Sequence, residues 1–269
     1  MPDADPESSF LNRDAELLAA TVREAGALAL EMFETELKTW TKGVSSPVSE
    51  ADIAVNDLIE SRLRSATPDY GWLSEESVDE PSRVGKALTW VVDPIDGTRA
   101  YLAQRRDWSV SIALVGNGTP LLAAVFAPAT DEFFFAAKGR GARLNDRTIV
   151  ASGGAGLDFS RIAGPKPLVE RLGSFKDGEG LHPRIGSLAL RLARVGEGAL
   201  DAAFAGGSSR DWDLAAADLI VHEAGGEMTT LVGEPLIYNS PNARHGLLVA
   251  AGRSRHTHIV EHFRNHPVY

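Results

Sequence analysis

Several features that mark particular classes of protein are absent from this chain of 269 residues. It has no cysteine, which excludes disulfide bonds, thiolate catalysis, zinc–thiolate sites and iron–sulfur clusters. No apolar run approaches the roughly 18 residues of a membrane-spanning helix, so we expect no membrane association. The N-terminal stretch MPDADPESSF lacks the basic and apolar regions of a secretory signal peptide. Together these absences favour a cytoplasmic protein.

Basic charge is also scarce. The chain has 27 Lys and Arg against 37 Asp and Glu, a net charge of −10, and no run rich in Lys and Arg. We therefore expect no nucleic-acid partner. An acidic protein that handles an anionic substrate needs local compensation, which metal ions or helix N-termini supply.

The order of predicted elements divides the chain into two halves. Residues 1–11 are predicted to be a disordered tip. Residues 12–150 begin with a long amphipathic helix over 12–37 and continue with many strands, a pattern typical of an α+β layer structure. Residues 151–269 alternate strands and helices, as α/β structures do. No long linker separates the halves, so we expect them to pack as one body.

Acidic residues stand at the ends of predicted elements in three places. One pair follows the strand GWL, a second pair follows the apolar run TWVV, and a single acid lies in the first turn of the helix that opens at RDWD. Ligand sites gather at such strand ends and helix starts. The acids are Glu75 with Glu76, Asp93 with Asp96, and Asp213.

The stretch WVVDPIDGT (Trp90–Thr98) carries the strongest chemical signal. Asp93 and Asp96 lie so close that their charges repel, and a cation would relieve that repulsion. The backbone N–H groups of Gly97 and Thr98, at a helix start, would be able to bind an anion. Oxygen ligands without cysteine suit Mg²⁺, Mn²⁺ or Ca²⁺ better than zinc. This layout predicts metal-assisted phosphate chemistry.

Each feature taken alone has a plainer interpretation. Asp-Pro-x-Asp-Gly is a common turn sequence, and Asp96 is equally able to cap a helix. Glu-Glu pairs are usually solvated. Asp213 would be favoured in a first helical turn by the helix dipole alone. A functional site is predicted only because all three groups of acidic residues occur in the same chain.

The motifs together resemble those of the inositol monophosphatase family of metal-dependent, lithium-sensitive phosphatases. The resemblance extends from about residue 12 to residue 255 and implies a layered αβαβα sandwich. It is carried by WVVDPIDGT, WLSEES (Trp72–Ser77), DWDLAAADLIVHEAGG (Asp211–Gly226), SSPVSEAD (Ser45–Asp52) and GARLNDRTI (Gly141–Ile149).

The resemblance also implies roles for individual residues. Glu75, Thr98 and Asp52 are the implied catalytic residues: Glu75 and Thr98 position the attacking water, and Asp52 hydrogen-bonds near Thr98. The amides of Gly97 and Thr98 are implied to bind phosphate. Glu76 is implied to lie next to the metal ligands without binding the metal itself. The implied metal ligands are the side chains of Glu75, Asp93, Asp96 and Asp213 and the carbonyl group of Ile95.

The implied cofactor is Mg²⁺, as two or three ions, with Mn²⁺ as a possible replacement and Li⁺ or Ca²⁺ as inhibitors. The implied reaction is direct in-line attack of a metal-activated water on a small phosphate monoester. We expect no covalent phosphoenzyme, because the chain has no Cys, no Gly-x-Ser-x-Gly motif and no Walker loop.

The segment just before Trp212 and Asp213 bears on which substrate the protein recognises. The inositol phosphatases carry an acid there that contacts the inositol hydroxyls, whereas this chain has Gly206, Gly207 and Ser208. The nearest acid, Asp211, is too close to the helix for that role. Recognition of inositol is therefore not expected from this segment.

Other segments resemble the bacterial 3′(2′),5′-bisphosphate nucleotidases, which convert 3′-phosphoadenosine 5′-phosphate to AMP. These are SPVSEAD, Ser74 before the Glu pair, VFAPATDEFFFAAKGRGA and GSLALRLARVGEG. DPIDGTRAY departs from the nucleotidase pattern Asp-Pro-Leu-Asp-Gly-Thr-Lys-Glu-Phe, and Arg99-Ala100 resembles histidinol-phosphate phosphatases. We predict nucleotidase activity, with Arg210 either as a contact to a second phosphate or as an ordinary exposed arginine.

Several alternatives remain open at the level of sequence. The other candidate substrates are inositol 1-phosphate, histidinol phosphate and a sugar bisphosphate. A non-enzymatic alternative is a protein-binding partner, because some phosphatases of the family also bind the transcription machinery. The family often forms dimers, so a homodimer is a further possibility.

Overall fold

The computed structural model describes residues 6–42, 46–173 and 182–268. Short 3₁₀ helices cover Pro81–Gly85, Pro128–Thr130, Phe159–Arg161 and Glu170–Leu172. The α-helices are α1 (Pro6–Phe33), α2 (Glu50–Ala66), α3 (Thr98–Leu102), α4 (Lys166–Val169), α5 (Leu188–Glu197), α6 (Asp211–Glu223) and α7 (Arg253–Asn265). The strands are β1 (Thr39–Lys42), β2 (Ser46–Ser49), β3 (Gly71–Ser74), β4 (Leu88–Asp96), β5 (Ser109–Gly116), β6 (Thr119–Ala127), β7 (Glu132–Ala137), β8 (Ala142–Leu144), β9 (Arg147–Thr148), β10 (Ile162–Ala163), β11 (Ala202–Ala205), β12 (Gly226–Thr230) and β13 (Leu248–Gly252).

Strands β3 to β9 form a seven-stranded sheet in the order of the chain. β3 and β4 are parallel, and the later neighbours are antiparallel. The turn between β5 and β6 has Asn117 and Gly118 at φ 50° and 74°, the left-handed conformations that short hairpin turns use. Every residue of β5 is buried, as expected for a central strand covered on both faces.

A smaller sheet has the order β10-β11-β13-β12. Its β10–β11 pair is parallel, whereas β13 is antiparallel to both of its neighbours. β12 was not predicted; the chain enters this strand directly after Gly225, at φ 82°. The second half is therefore mixed rather than purely strand–helix alternation.

Helices and sheets alternate in five layers, which confirms the predicted αβαβα sandwich. α1 and α2 cover one face of the large sheet, and α5 and α6 lie between the two sheets. α7 covers the outer face of the small sheet. On β5, Ile112 and Leu114 pack with the α1–α2 side while Ala113 and Val115 pack with the α5–α6 side, as alternation along a strand requires.

The N-terminal helix differs from its prediction at both ends. It begins at Pro6, so residues 6–11 are helical and not part of a disordered tip; residues 1–5 lie outside the described residues. Proline is compatible with a first helical turn because its missing N–H has no intrahelical partner there. Leu11 packs against the core, which helps to hold this turn. The helix ends at Phe33, before the predicted residue 37.

Within the described ranges, none of the helices combines the length and the apolar character that a bilayer-spanning segment needs.

The division of the chain into two halves at residue 150 stays a prediction.

Candidate active site

A bulge near the end of β4 brings Asp93 and Asp96 to the same side. Residues three apart on a regular strand face opposite sides of a sheet. Here Asp93 pairs with Ser111 and Asp96 with Ser109, so three steps along β4 match two steps along β5. Pro94, which has no N–H for the ladder, lies within this irregularity.

Asp213 completes a cluster of three carboxylates from distant parts of the sequence. It lies in the first turn of α6, where its Oδ2 accepts a hydrogen bond of 2.7 Å from the backbone N–H of Arg210. One carboxylate oxygen from each of Asp93, Asp96 and Asp213 lies within 4.8 Å of the others. Two of the three side chains are buried and Asp213 is half-buried.

Electrostatics shows that this cluster is poorly compensated by the protein alone. Burial raises the pKa of Asp93 well above its ordinary value, and the charges of Glu75, Asp96 and Asp213 raise it further. The pKa of Asp213 is also raised well above its usual range, by burial and then by Asp96. Asp93 Oδ1 is buried and has no hydrogen-bond partner among the described residues. A buried oxygen acceptor amid like charges fits a hard cation.

Glu75 reaches the same cleft from the neighbouring strand. β3 and β4 are parallel, so their C-terminal ends meet at one edge of the sheet. The N–H of Glu75 donates to the carbonyl of Val92 over 3.2 Å and extends the pairing by one residue. Glu76 follows, with its N–H donating to Ser74 Oγ over 3.2 Å. The half-buried Glu75 lines the cavity together with the three aspartates.

Thr98, the first residue of α3, is held by Asp52. Its hydroxyl lies 3.1 Å from Asp52 Oδ1 and 3.1 Å from the carbonyl oxygen of Ile95. Asp52 is itself fixed, because Ser49 donates to its Oδ2 from both the hydroxyl, at 2.6 Å, and the backbone N–H, at 2.8 Å. Burial raises the pKa of Asp52, and these hydrogen bonds oppose the increase. The structure thus places Thr98 in direct contact with both Asp52 and the carbonyl group of Ile95.

Gly97 makes the turn between β4 and α3 at φ 95°, a conformation that favours glycine. A Cβ atom here would lie 3.0 Å from the backbone nitrogen of Ser187, which is tighter than ordinary van der Waals contact, so the available space also favours glycine. Gly97 and Thr98 both line the cavity.

Ser187 was not predicted, although its position just before an apolar helical run is typical of an N-cap. Its Oγ donates to Asp96 Oδ2 over 2.6 Å and accepts from the N–H of Leu190 over 2.9 Å. The N–H of Ala189 also donates to Asp96 Oδ2 over 2.6 Å. The start of α5 therefore fixes one oxygen of Asp96.

Three arginines line the cavity of 360 Å³ above these acids: Arg99, Arg105 and Arg184. Arg105 Nε donates to Asp107 Oδ1 over 3.0 Å and its Nη2 donates to the carbonyl of Arg184 over 2.9 Å. Asp107 in turn accepts from the backbone N–H of Gly186. These bonds join the segment after α3 to the segment before α5. From the sequence, Arg99 was noted only as part of a motif, and neither Arg105 nor Arg184 was predicted to have a role.

Arg210 lies elsewhere. It is the N-cap residue of α6, and its guanidinium carbon is 5.5 Å from the centre of the Trp212 ring. It does not belong to the residues that line the cavity. Its positive charge lowers the pKa of Asp213, whose carboxylate also accepts the hydrogen bond from the backbone N–H of Arg210. The predicted contact of Arg210 with a second phosphate stays a prediction.

The layered sandwich and its carboxylate cluster define a candidate metal-dependent hydrolase. The chain belongs to the Inositol monophosphatase family, whose model matches residues 12–267. It is thereby a phosphoric monoester hydrolase of a metal-dependent family, which confirms the prediction from its motifs.

Relatives with different names share this similarity. The chain is 35% identical over 231 residues to an inositol-1-monophosphatase of Rhizobium meliloti (81% of this chain, 85% of that protein). It is 35% identical to the Nus factor SuhB of Xylella fastidiosa over 232 residues (81% and 82%) and 36% identical to a histidinol-phosphatase of Mycobacterium tuberculosis over 210 residues (74% and 79%). The solved IMPase of Thermotoga maritima matches with a TM-score of 0.79 and 27% identity over 96% of this chain and 97% of that one.

Proposed function

We propose that this family member hydrolyses the 3′-phosphate of a 3′,5′-bisphosphate nucleotide, with 3′-phosphoadenosine 5′-phosphate as its substrate and AMP and phosphate as products. The observation that carries the choice of substrate is the set of three arginines, Arg99, Arg105 and Arg184, that line the cavity beside the carboxylates. A substrate with a second phosphate brings additional negative charge into the cavity, and these arginines would balance it. Arginine suits this role because it binds phosphate through paired, charge-assisted hydrogen bonds.

The segment before α6 supports the same choice by what it lacks. Asp211 is fully buried; it accepts from the backbone N–H of Asn239 over 2.6 Å and lies 2.6 Å from His245 Nε2. It is therefore not available to the hydroxyl groups of a sugar. Gly206 to Ser208 precede it and carry no acid.

The proposed metal-binding groups are the side chains of Glu75, Asp93, Asp96 and Asp213 and the carbonyl group of Ile95. Bound Mg²⁺ ions would polarise the phosphate, lower the pKa of a water molecule and stabilise the departing alkoxide. The protein's contribution is to hold these oxygens in one place: the bulge in β4 orients Asp93 and Asp96, and the cap of α5 fixes Asp96 Oδ2.

We assign the positioning of water to Thr98 and Glu75. When the Thr98 hydroxyl donates its hydrogen to Asp52, at 3.1 Å, its lone pairs stay available to accept a hydrogen from water. Thr98 then orients the water instead of attacking phosphorus itself. Glu75 lines the same cavity and is the carboxylate assigned to take the proton of that water. The amides of Gly97 and Thr98 are proposed to hold the phosphate.

A panel of substrates tests the proposal. Phosphate release would be measured with Mg²⁺ on 3′-phosphoadenosine 5′-phosphate, inositol 1-phosphate, histidinol phosphate and fructose 1,6-bisphosphate. We expect the nucleotide to lead by at least tenfold in kcat/KM, about 1.4 kcal/mol of discrimination. If inositol 1-phosphate led, as the names of several relatives suggest for those proteins, the proposed substrate would be wrong. Release absent from all four would favour the protein-binding alternative.

A further inference from the structure

A second cavity, of 550 Å³, adjoins the active site. Arg184 lines both cavities, so the two share a wall. Lys166, His182 and Arg191 also line the second cavity, and the lining residues that the structure describes include no carboxylate. In a protein with a net charge of −10, a cavity lined by three cationic side chains and a histidine is a marked local reversal of charge.

We infer that this second cavity is an anion subsite that holds the non-reacting phosphate of a bisphosphate substrate while the other phosphate lies at the carboxylates. The inference rests on the proposed function, since it assigns a place to the second phosphate of that substrate. Its residues are Lys166, His182, Arg184 and Arg191, for which the sequence alone predicted no role.

Arg191 gives this subsite its most specific feature. It lies on α5, four residues after the cap residue Ser187, and its side chain is half-buried. Its Nε is buried and has no hydrogen-bond partner among the described residues. A buried donor without a partner costs free energy, and an anion in the cavity would remove that cost.

The charges around Arg191 agree with this view. Burial lowers the pKa of its guanidinium, the carboxylate of Asp96 opposes that effect, and the positive charge of Arg184 adds to it. A phosphate between Arg184 and Arg191 would turn their mutual repulsion into two attractions.

The other cationic groups are placed where they can be tested without disturbing the core. Lys166, at the start of α4, is exposed and its Nζ lies 3.5 Å from Glu170 Oε1. His182 is half-buried, with Nδ1 2.8 Å from the carbonyl of Pro183. Since surface ion pairs contribute little to stability, replacing Lys166 should leave the fold intact.

The experiment compares two substrates that differ only in the second phosphate. kcat/KM would be measured for 3′-phosphoadenosine 5′-phosphate and for adenosine 3′-phosphate, in the wild type, Arg191→Met, Lys166→Met and Arg191→Lys. We expect the preference for the bisphosphate to fall at least tenfold in Arg191→Met, by a smaller factor in Lys166→Met, and to be partly kept in Arg191→Lys. Lys138→Met, at an exposed lysine that lines a separate cavity, is the matched control and should keep the wild-type ratio.

The same variants separate the two ways of failing. A wild type that prefers the bisphosphate, with variants that keep the same preference, overturns the subsite and leaves the proposed function intact. A wild type that does not hydrolyse the bisphosphate overturns the proposed function, and the subsite is then judged by calorimetry with adenosine 5′-phosphate and with inorganic phosphate. Adenosine 5′-phosphate binding that Arg191→Met abolishes would keep a nucleotide-phosphate subsite. Equal binding of inorganic phosphate by the wild type and Arg191→Met would rule out an anion site at Arg191.

Discussion

The acidic and the basic sides of the cleft are built in different ways. Asp93 and Asp96 are buried, lie on one strand and are fixed by a bulge and by a helix cap. Arg99, Arg105 and Arg184 are exposed and come from α3 and from two connecting segments. The acidic side has the properties of a fixed framework, whereas long exposed side chains on connections are easier to change. We infer that the residues fixed on the sheet determine the reaction, whereas the arginines on α3 and the connecting segments determine the choice of substrate.

Asp93→Asn should break the acidic side most completely. The change removes one charge from the cluster and one metal-binding oxygen, so Mg²⁺-dependent phosphate release should fall by at least about a hundredfold. The metal-free protein should become more stable, because the variant relieves burial of a charge and repulsion from Glu75, Asp96 and Asp213.

Thermal unfolding in EDTA would measure the expected gain in stability of the metal-free Asp93→Asn variant. A rise in Tm together with loss of activity is expected, whereas a fall in both would indicate that Asp93 serves mainly to hold the fold. Asp57→Asn, an exposed acid on α2, is the control and should change neither quantity.

Thr98→Ala tests whether the acidic side also orients water. Without the hydroxyl held by Asp52, kcat should fall by about a hundredfold, because small misplacements of a reacting group are costly. Thr98→Ser keeps the hydroxyl and should recover most of the rate. Equal losses in both variants would show that the methyl group, and not the hydroxyl, is what matters.

Arg99→Met and Arg210→Met sharpen the definition of the basic side. Arg99 lines the cavity, so its loss should lower kcat/KM for the bisphosphate nucleotide by about tenfold, the effect of losing a charged hydrogen bond. Arg210 lies over Trp212, so its loss should have an effect of less than about twofold. Steady-state kinetics on the same substrate would decide, and a larger effect at Arg210 would restore the contact predicted from sequence.

The smallest of the expected effects is the pH dependence of stabilisation by Mg²⁺. The folded-state pKa values of Asp93, Asp96 and Asp213 are raised above the ordinary value of 3.8. The folded metal-free protein therefore binds more protons than the unfolded chain between that value and the raised ones, and its stability falls as pH rises through this window.

Mg²⁺ replaces those protons, so it should raise Tm by more at pH 8 than at pH 5.5. Differential scanning calorimetry at both pH values, with Mg²⁺ or with EDTA, measures the two shifts. Equal shifts at both values would indicate that the ions bind away from these carboxylates.

The acidic side could be predicted from sequence because its signals are local. Asp93, Asp96 and Asp213 stand next to the end of a strand or the start of a helix, and those boundaries follow from apolar periodicity and from proline and glycine. The layered fold could be predicted for the same reason, with the motifs that resemble the family. β12 and the start of α1 were missed, since glycine after a helix and proline in a polar segment are compatible with more than one structure.

The basic side could not be predicted in this way. Arg184 lines the active site, and Arg191 lines the adjoining cavity, because the segment before α5 docks against Asp107 and Asp96. Local sequence says nothing about this docking. Arg210 was chosen because it lies two residues from the Trp-Asp pair, yet its place at the helix cap directs the side chain towards Trp212. Proximity in sequence to a motif is therefore a weak guide to which arginine lines a cavity.

Ser187 has a consequence for anyone who wishes to redesign this protein. One hydroxyl group both begins the helix that carries Arg191 and holds an oxygen of Asp96. Substrate preference can then be varied at exposed positions such as Arg105 and Arg184 while this serine is kept. A library that randomises the whole segment before α5 would mix changes of specificity with losses of activity, and holding position 187 constant would separate them.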